Sequence, residues 1–409
     1  MKRIYSIFIQ LFEWFLPLTT WISPKQKLFV EGRKNIFQDL ASIEAKQVIW
    51  IHTASLGEYE QAVPIMKRLK TEYPNHQLLV TFFSPSGYEI KKNDPLPDFL
   101  CYLPLDTKAN AQRFIESLDI QIALFVKYEI WPNFINQLTK AKIPTFLVSA
   151  LFRKEQIYFK PIGSFLKQAL HQFNHIFVQN ESAFLQLKNA GFNNMSISGD
   201  TRYDRVIQQL KIDNELDCMN KFKQAKTCFV FGSSWPEDEA IFVDFINSTK
   251  DIKFVIAPHE IKPQKVQGLV EKLNKKVVLH SNMKDEHLAE AEVFVIDRIG
   301  LLSKIYAYAD IAYVGGGMGN AGLHNILEPA TFGVPIVIGK NFEKFPEATE
   351  LRKYAGLFSV KNSVEFNDIA SKLINNHQFR KQSGIIAGHF VEARAGATDL
   401  ILNKIKLYL

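Results

Sequence analysis

Cysteine is scarce in this chain. The three present, Cys101, Cys218 and Cys228, are odd in number, and no Cys, His and carboxylate residues stand together at metal-ligand spacing. A disulfide scaffold and a zinc module are excluded, and a reduced, cytosolic setting fits. Fixed-period repeats and long low-complexity tracts are also missing, which removes solenoids and disordered chains. Neither a Walker phosphate loop nor a G-x-S-x-G elbow occurs. Lys and Arg exceed Asp and Glu by 49 to 42, giving +7, but the basic residues are dispersed. That excess favours anionic partners in general, and no nucleic-acid-binding motif accompanies it.

What is present is a globular chain of 409 residues, 47% apolar and 22% charged, enough for two cores. Its N-terminus differs from the rest. Ile4 to Ile22 is rich in Phe, Ile, Leu and Trp but is broken by Gln10, Glu13 and Pro17, and six Lys/Arg stand against two Glu through Lys34. A central Glu and Pro make a bilayer span costly. No small-residue cleavage site follows the apolar run, against a signal peptide. An interfacial segment fits better than a span or a buried helix, with aromatic residues in the headgroup region and basic residues beside them.

From Gln47 onward, short β-forming runs alternate with helical stripes. Strands are expected at Val48–His52, Leu78–Phe83, Ile122–Val126, Thr145–Val148 and His175–Val178. A second set is expected at Cys228–Gly232, Phe254–Ala257, Val277–Leu279, Val293–Ile296, Ile311–Val314 and Pro335–Gly339. Ala62, Val63, Ile65, Met66 and Leu69 form one helical stripe between them. The alternation predicts α/β architecture: two doubly wound Rossmann-like domains facing a cleft at the carboxyl ends of their sheets. The expected division is a membrane-associated segment at 1–37, a first Rossmann-like domain at 38–212, a charged linker at 213–226 and a second Rossmann-like domain at 227–409. The last helix is free to cross back to the first domain.

The stretch from Tyr306 to Glu347 dominates the second half. Strand Ile311–Val314 runs into glycines at 315, 316, 317, 319 and 322, where backbone N–H groups can approach a ligand closely. A helix over His324–Thr331, stopped by Gly333 and Pro335, would place His324, Asn325 and Glu328 on one side. Three readings compete. The glycines can serve packing at a tight corner. Alternatively, Gly317-Met318-Gly319-Asn320-Ala321-Gly322 matches the dinucleotide pattern G-x-G-x-x-G, with Glu343 near where that motif wants an acid. Against this, the intervening helix is too short. The third reading, preferred here, is a sugar-nucleotide site in which Gly315, Gly316, Gly317, Asn320 and Gly322 surround a phosphate and Glu328 accepts from ribose hydroxyls.

Other candidates follow strand ends. In HTASLGEYE (52–60), Ser55 and Glu58 spell a capping box, yet Glu58 also stands where a general base would. In KYEIWPNF (127–134), Glu129 either orients an acceptor or caps the next helix. Arg202 in GDTRYDR (199–205) lies in a turn suited to an anion. In GSSWPEDEA (232–240), Ser233 and Ser234 offer donors to a phosphate or base, while Glu237, Asp238 and Glu239 suit a helix first turn. Pro258 and His259 end the next strand, where His259 meets a phosphate or solvent.

Taken together and in order, these motifs resemble one family, the 3-deoxy-D-manno-oct-2-ulosonic acid (Kdo) transferases of lipid A assembly. The resemblance rests on WIHTASLGE (50–58), TFFSPSGYE (81–89), YLPLD (102–106), YEIWPN (128–133), GDTRYD (199–204), SSWPEDE (233–239) and GLHNILEPATFGVPIVIG (322–339) followed by NF (341–342), spanning about residues 48 to 345. It implies a GT-B fold and inverting transfer of Kdo from CMP-Kdo to a lipid A precursor, lipid IVA, at the cytoplasmic face of the inner membrane. It implies neither metal nor cofactor. The general base falls on Glu58, with Ser55 and Gly57 beside it; Glu129 matches a second acidic motif near the acceptor; Arg202 stands where Lys is usual. Gly322, His324, Asn325 and Glu328 match the donor signature, and the N-terminal segment looks like the family's membrane anchor. The alternatives are another nucleotide-sugar enzyme, a UDP-sugar transferase or an epimerase, or a membrane-bound protein that holds a sugar nucleotide without turnover. Departures from the family pattern bear on phosphate recognition and on acceptor choice. Lys127 replaces an acid, Ser233-Ser234-Trp235 replaces Ser-Thr-His, Ala257-Pro258-His259-Glu260 replaces Ala-Pro-Arg-His, and Ser149-Ala150-Leu151 replaces Asn-Ala-Arg, with Arg153 nearby.

Overall fold

A computed structural model describes residues 1–41 and 46–409. The chain forms two compact units, one of Met1–Arg205 with Ala395–Leu409, the other of Val206–Arg394.

The first unit contains seven strands: β1 (Val48–Thr53), β2 (Gln77–Phe82), β3 (Phe99–Tyr102), β4 (Ile120–Val126), β5 (Thr145–Ala150), β6 (His175–Val178) and β7 (Met195–Ile197). They pair in parallel in the order β3-β2-β1-β4-β5-β6-β7. Strands buried on both faces read as continuous apolar runs, and β1 is buried at all six positions. The winding reverses between β1 and β4, so the carboxyl ends of these two strands mark the switch point where doubly wound sheets bind ligands. The helix Leu56–Glu72 follows β1 and buries the expected stripe of Ala62, Val63, Ile65, Met66 and Leu69. The last helix, Ala397–Ile405, buries Ile401, Leu402 and Ile405 in this same core, beside Ile49 and Phe146. Asp204 ties it there, accepting from the backbone N–H groups of Gly396 and Thr398 at 2.6 Å each.

The second unit repeats the plan with β8 (Cys228–Ser234), β9 (Lys253–Pro258), β10 (Val277–Leu279), β11 (Val293–Val295), β12 (Ile311–Val314), β13 (Ile336–Ile338) and β14 (Leu357–Ser359). The parallel order is β10-β11-β9-β8-β12-β13-β14, which puts the switch point between β8 and β12. The charged run at 213–226, expected as a linker, carries a helix, Asp217–Lys223. Met219 and Phe222, three residues apart on one helix face, are fully buried among Cys228, Val230 and Phe294.

The N-terminal helix, Lys2–Phe15, is amphipathic in an inverted sense. Its inward face carries polar anchors beside Ile9: the Tyr5 hydroxyl donates to Asp106 at 2.8 Å, and Glu13 accepts from Asn110 at 2.5 Å. Its outward face, with the turn that follows, presents Ile4, Phe8, Leu11, Trp14 and Trp21 to solvent, Trp14 being 72% and Trp21 84% exposed. Arg33 fixes the following segment by donating to the carbonyls of Leu103, Phe29 and Phe83. Its guanidinium also lies over the rings of Phe29, Phe83 and Tyr102, and burial lowers its pKa to about 9. Among the described residues, no helix is long and apolar enough to cross a membrane.

Candidate active site

In the first unit, candidate residues gather at the carboxyl ends of β1 and β4. The capping box is real: Glu58 Oε2 accepts from the Ser55 backbone N–H at 2.8 Å and from its hydroxyl at 3.0 Å. The carboxylate is nonetheless 8% exposed, and burial, then the charge of Glu129, raises its pKa. A buried carboxylate with a raised pKa at a switch point has the properties of a general base as well as those of a cap. Gly57, in the first turn of the same helix, would bring a Cβ no nearer than 4.0 Å to its neighbour, the Ser55 hydroxyl, so its lack of a side chain is not forced by packing.

Glu129 does not cap the next helix. That helix, Pro132–Lys140, is capped by the fully buried Asp106, which accepts from the backbone N–H groups of Asn133 and Phe134 at 2.9–3.1 Å. Two of the sequence motifs, YLPLD and YEIWPN, are thus joined by a structural cap. Burial pushes Asp106 up to about 7 even against these bonds. Glu129 instead accepts from the Trp131 indole N–H at 2.9 Å and lies 3.3 Å from Nε2 of His52. His52, which sequence reasoning did not single out, is fully buried, with Nδ1 2.8 Å from the Thr81 hydroxyl. That hydroxyl accepts from the Trp50 indole at 2.9 Å. The Trp131 indole N–H also lies 3.0 Å from His52 Nε2, so one donor bridges the imidazole and the Glu129 carboxylate and holds the carboxylate in place. No local signal in β1 marks His52, because alternation along a strand buried on both faces is silent about partners.

Arg202 lies in the first turn of a helix, Thr201–Ile207, rather than in a free turn. Its guanidinium pairs with Asp200 at 2.8 Å, and Asp200 also accepts from the Arg202 backbone N–H. Thr201 bolts this corner to the helix Leu56–Glu72, donating to the Gln61 carbonyl at 2.7 Å, and its hydroxyl lies 3.0 Å from that of Ser149 on β5. Lys127 and Ser149, just past β4 and near the end of β5, have φ of 63° and 52°. Left-handed backbone at non-glycine residues is uncommon and concentrates at functional sites.

In the second unit, candidates gather at the carboxyl ends of β8, β9 and β12. Ser233 has φ 54° at a bulge between β8 and β9. Ser234 pairs with Pro258, and its carbonyl accepts from His259 N–H at 2.9 Å. Two glycines of the β12 loop are demanded by geometry: a Cβ on Gly315 would stand 2.2 Å from the Ser233 carbonyl, and Gly316, at φ 88°, would place one 2.1 Å from that of Gly322.

The glycine-loop expectation needs correction here. The N–H groups of Gly316 and Met318 donate to the buried carboxylate of Asp238, at 2.8 and 3.3 Å, and Tyr313 donates its hydroxyl at 2.8 Å. Those amides hold an internal anion rather than a ligand. Sequence reasoning took Asp238 for a helix-turn acid; it does cap its own helix through Trp235 N–H, but its other oxygen lone pairs organise the loop.

The expected helix His324–Thr331 is reduced to Leu327–Thr331. Asn325 starts it by accepting from Leu327 N–H at 3.1 Å, while His324 N–H turns back to the Gly315 carbonyl. His324, Asn325 and Glu328 therefore do not share one helix side. Asn325 and Ser303 both donate to Glu328, at 3.2 and 3.1 Å. His324 instead joins an aromatic shelf: the Trp235 indole N–H donates to its Nε2 at 3.1 Å, and exposed His259 stacks on Trp235 with ring centroids 4.4 Å apart. Gly317 packs against Gly339, and Asn320 is exposed at the loop tip. Among the described residues, no group of three or more His, Cys, Asp or Glu is arranged to hold a metal.

The profile of the family described as "3-Deoxy-D-manno-octulosonic-acid transferase (kdotransferase)" matches residues 31–205. The chain is 26% identical over 418 residues to a 3-deoxy-D-manno-octulosonic acid transferase of Haemophilus influenzae, covering 97% of this chain and 95% of that one. It is 24% identical over 405 residues to a bifunctional glycosyltransferase/methyltransferase of Fusobacterium nucleatum, covering 94% of this chain but only 62% of that relative's length. Among solved structures, the UDP-GlcNAc 2-epimerase of Neisseria meningitidis superposes with a TM-score of 0.64 at 14% identity, over 88% of this chain and 99% of the other. That likeness speaks for the fold alone, two doubly wound α/β units of the GT-B type. With the family profile on the first unit and a transferase relative matched across both, the chain is similar to the Kdo transferases along nearly its whole length.

Proposed function

We propose that this protein transfers Kdo, with inversion, from CMP-Kdo to a hydroxyl of an anionic lipid A precursor at a membrane surface. The observation that carries the mechanism is Glu58, a buried carboxylate with a raised pKa at the end of β1. In the reaction, Glu58 takes the proton of the acceptor hydroxyl as its oxygen attacks the anomeric carbon. The bond from that carbon to the CMP phosphate oxygen breaks, and CMP leaves with the electron pair. Glu129, aimed by His52 and Trp131, orients the acceptor, and Arg202 attracts its anionic groups. Ser233 and the Trp235–His259–His324 shelf receive the donor nucleotide, while the buried Ser234 hydroxyl donates to Glu239 at 3.3 Å, and Glu328 accepts from the ribose. Because Gly316 and Met318 are engaged by Asp238, stabilisation of the departing phosphate falls to the serine and histidine groups instead.

The N-terminal helix brings the enzyme to its lipid. A polar face docked on the protein and an aromatic face left outward are what an interfacial helix requires. The cytoplasmic face of the inner membrane is the corresponding location. Donor competition tests the reading: CMP should inhibit transfer to lipid IVA far more strongly than UDP does. Stronger binding of UDP, with turnover of a UDP-sugar, would replace it with a hexosyltransferase or an epimerase.

A further inference from the structure

Trp235 sits at the end of β8, where its backbone N–H is engaged by Asp238. An indole N–H is a donor only, so the hydrogen bond at 3.1 Å to His324 Nε2 requires a lone pair there. The ring proton must then be on Nδ1. Burial, with His259 beside it, pushes His324 down to about 4, so the imidazole is neutral at physiological pH. The ring is held from other sides too. His259 lies 4.6 Å away between centroids, and the His324 backbone is pinned to Gly315. Among the described residues no hydrogen-bond partner is recorded for Nδ1, and the side chain is half-buried rather than enclosed.

We propose that Trp235 is a positioning residue: by donating to Nε2 it fixes His324 as the Nδ1–H tautomer and presents that N–H to a phosphate oxygen of the donor nucleotide. This rests on the nucleotide-donor reading of the second unit. A neutral N–H donor suits the task, because it stays fixed as charge builds on the departing phosphate.

The test uses full-length protein labelled with ¹⁵N-histidine, with the His324 signals identified by their loss in H324Q. In the wild type, His324 should show a protonated Nδ1 and an unprotonated Nε2 before any ligand is added. Protonation on Nε2 would overturn the inference with no variant needed. In W235F, which keeps a ring for His259 to stack on, the equilibrium should move toward the Nε2–H form. The Kd for CMP should rise about 3- to 10-fold, the loss of one hydrogen bond. Cytidine, lacking the phosphate, should bind W235F as it binds the wild type, and W235F should add nothing in an H324Q background. An unchanged tautomer in W235F, or equal losses for cytidine and CMP, would refute the proposal. If the wild type binds no CMP, the donor-site reading fails separately, because the tautomer is read without ligand.

Discussion

Replacing Glu58 by Gln separates the two roles that the structure superimposes on one side chain. Glu58 Oε2 takes two hydrogen bonds from Ser55, and a Gln carbonyl oxygen can keep the backbone one, since Gln also completes a capping box. Losing a cap outright costs roughly 0.5–2 kcal/mol, so E58Q should stay within about 0.5 kcal/mol of wild type at neutral pH. The sign of the pH effect is fixed. Burial raises the folded-state pKa above the ordinary value of 4.5, so the native protein holds this proton longer than the unfolded chain. The wild type therefore loses stability relative to E58Q as pH rises from 4.5 through the raised value. Catalysis runs the opposite way: the base must be ionised, so wild-type kcat/KM should fall as pH drops through the raised value, above the usual carboxylate range. In E58Q, transfer should fall on the order of 10²- to 10⁴-fold, with denaturation midpoint and CMP affinity nearly unchanged. A folded, CMP-binding E58Q with near-normal turnover would refute the assignment and leave Glu58 as a cap.

Deleting residues 1–24 should release the protein from membranes while detergent-dispersed acceptor is still converted. Asp106 keeps its bonds to Asn133 and Phe134 without Tyr5, so the first unit should remain folded; retention in the membrane fraction would count against the helix as anchor. D238N should lower unfolding free energy by about 3 kcal/mol or more, because Asp238 serves Gly316, Met318, Tyr313 and Trp235 and each buried bond left unmade costs roughly 1–3 kcal/mol. An unchanged melting temperature would show that the loop holds without it. E328Q should weaken CMP binding by roughly 1.5–3 kcal/mol in calorimetry if the carboxylate meets ribose. Unchanged affinity with a lowered melting temperature would make Glu328 structural.

The doubly wound plan was legible because central parallel strands are apolar on both faces, as β1 and β12 are. Strands β3, β7 and β14 were not, since at three or four residues they are too short for a period to show, and unlike Val277–Leu279 they are not runs of branched aliphatic residues. The helix in 213–226 was hidden because only Met219 and Phe222 among its charges go inward. At the site, the order of motifs carried the family and the placement of Glu58 and Glu129. What local pattern could not carry was long-range pairing. His52 meets Glu129 across 77 positions, and Asp238 meets Gly316 across 78. The same limit misled the reading of His324, because a turn closed by Asn325 and a bond to Gly315 outweighs helical spacing. Asp106, inside a quoted motif, proved to be scaffold, which a motif alone cannot distinguish from chemistry.

The most direct test is to incubate the purified full-length protein with CMP-Kdo and lipid IVA and to measure CMP release and lipid product together. One CMP should appear for each Kdo found on the lipid, with no CMP released when the lipid is left out. CMP release without glycosylated lipid, or no reaction while a UDP-sugar is consumed, would contradict the account.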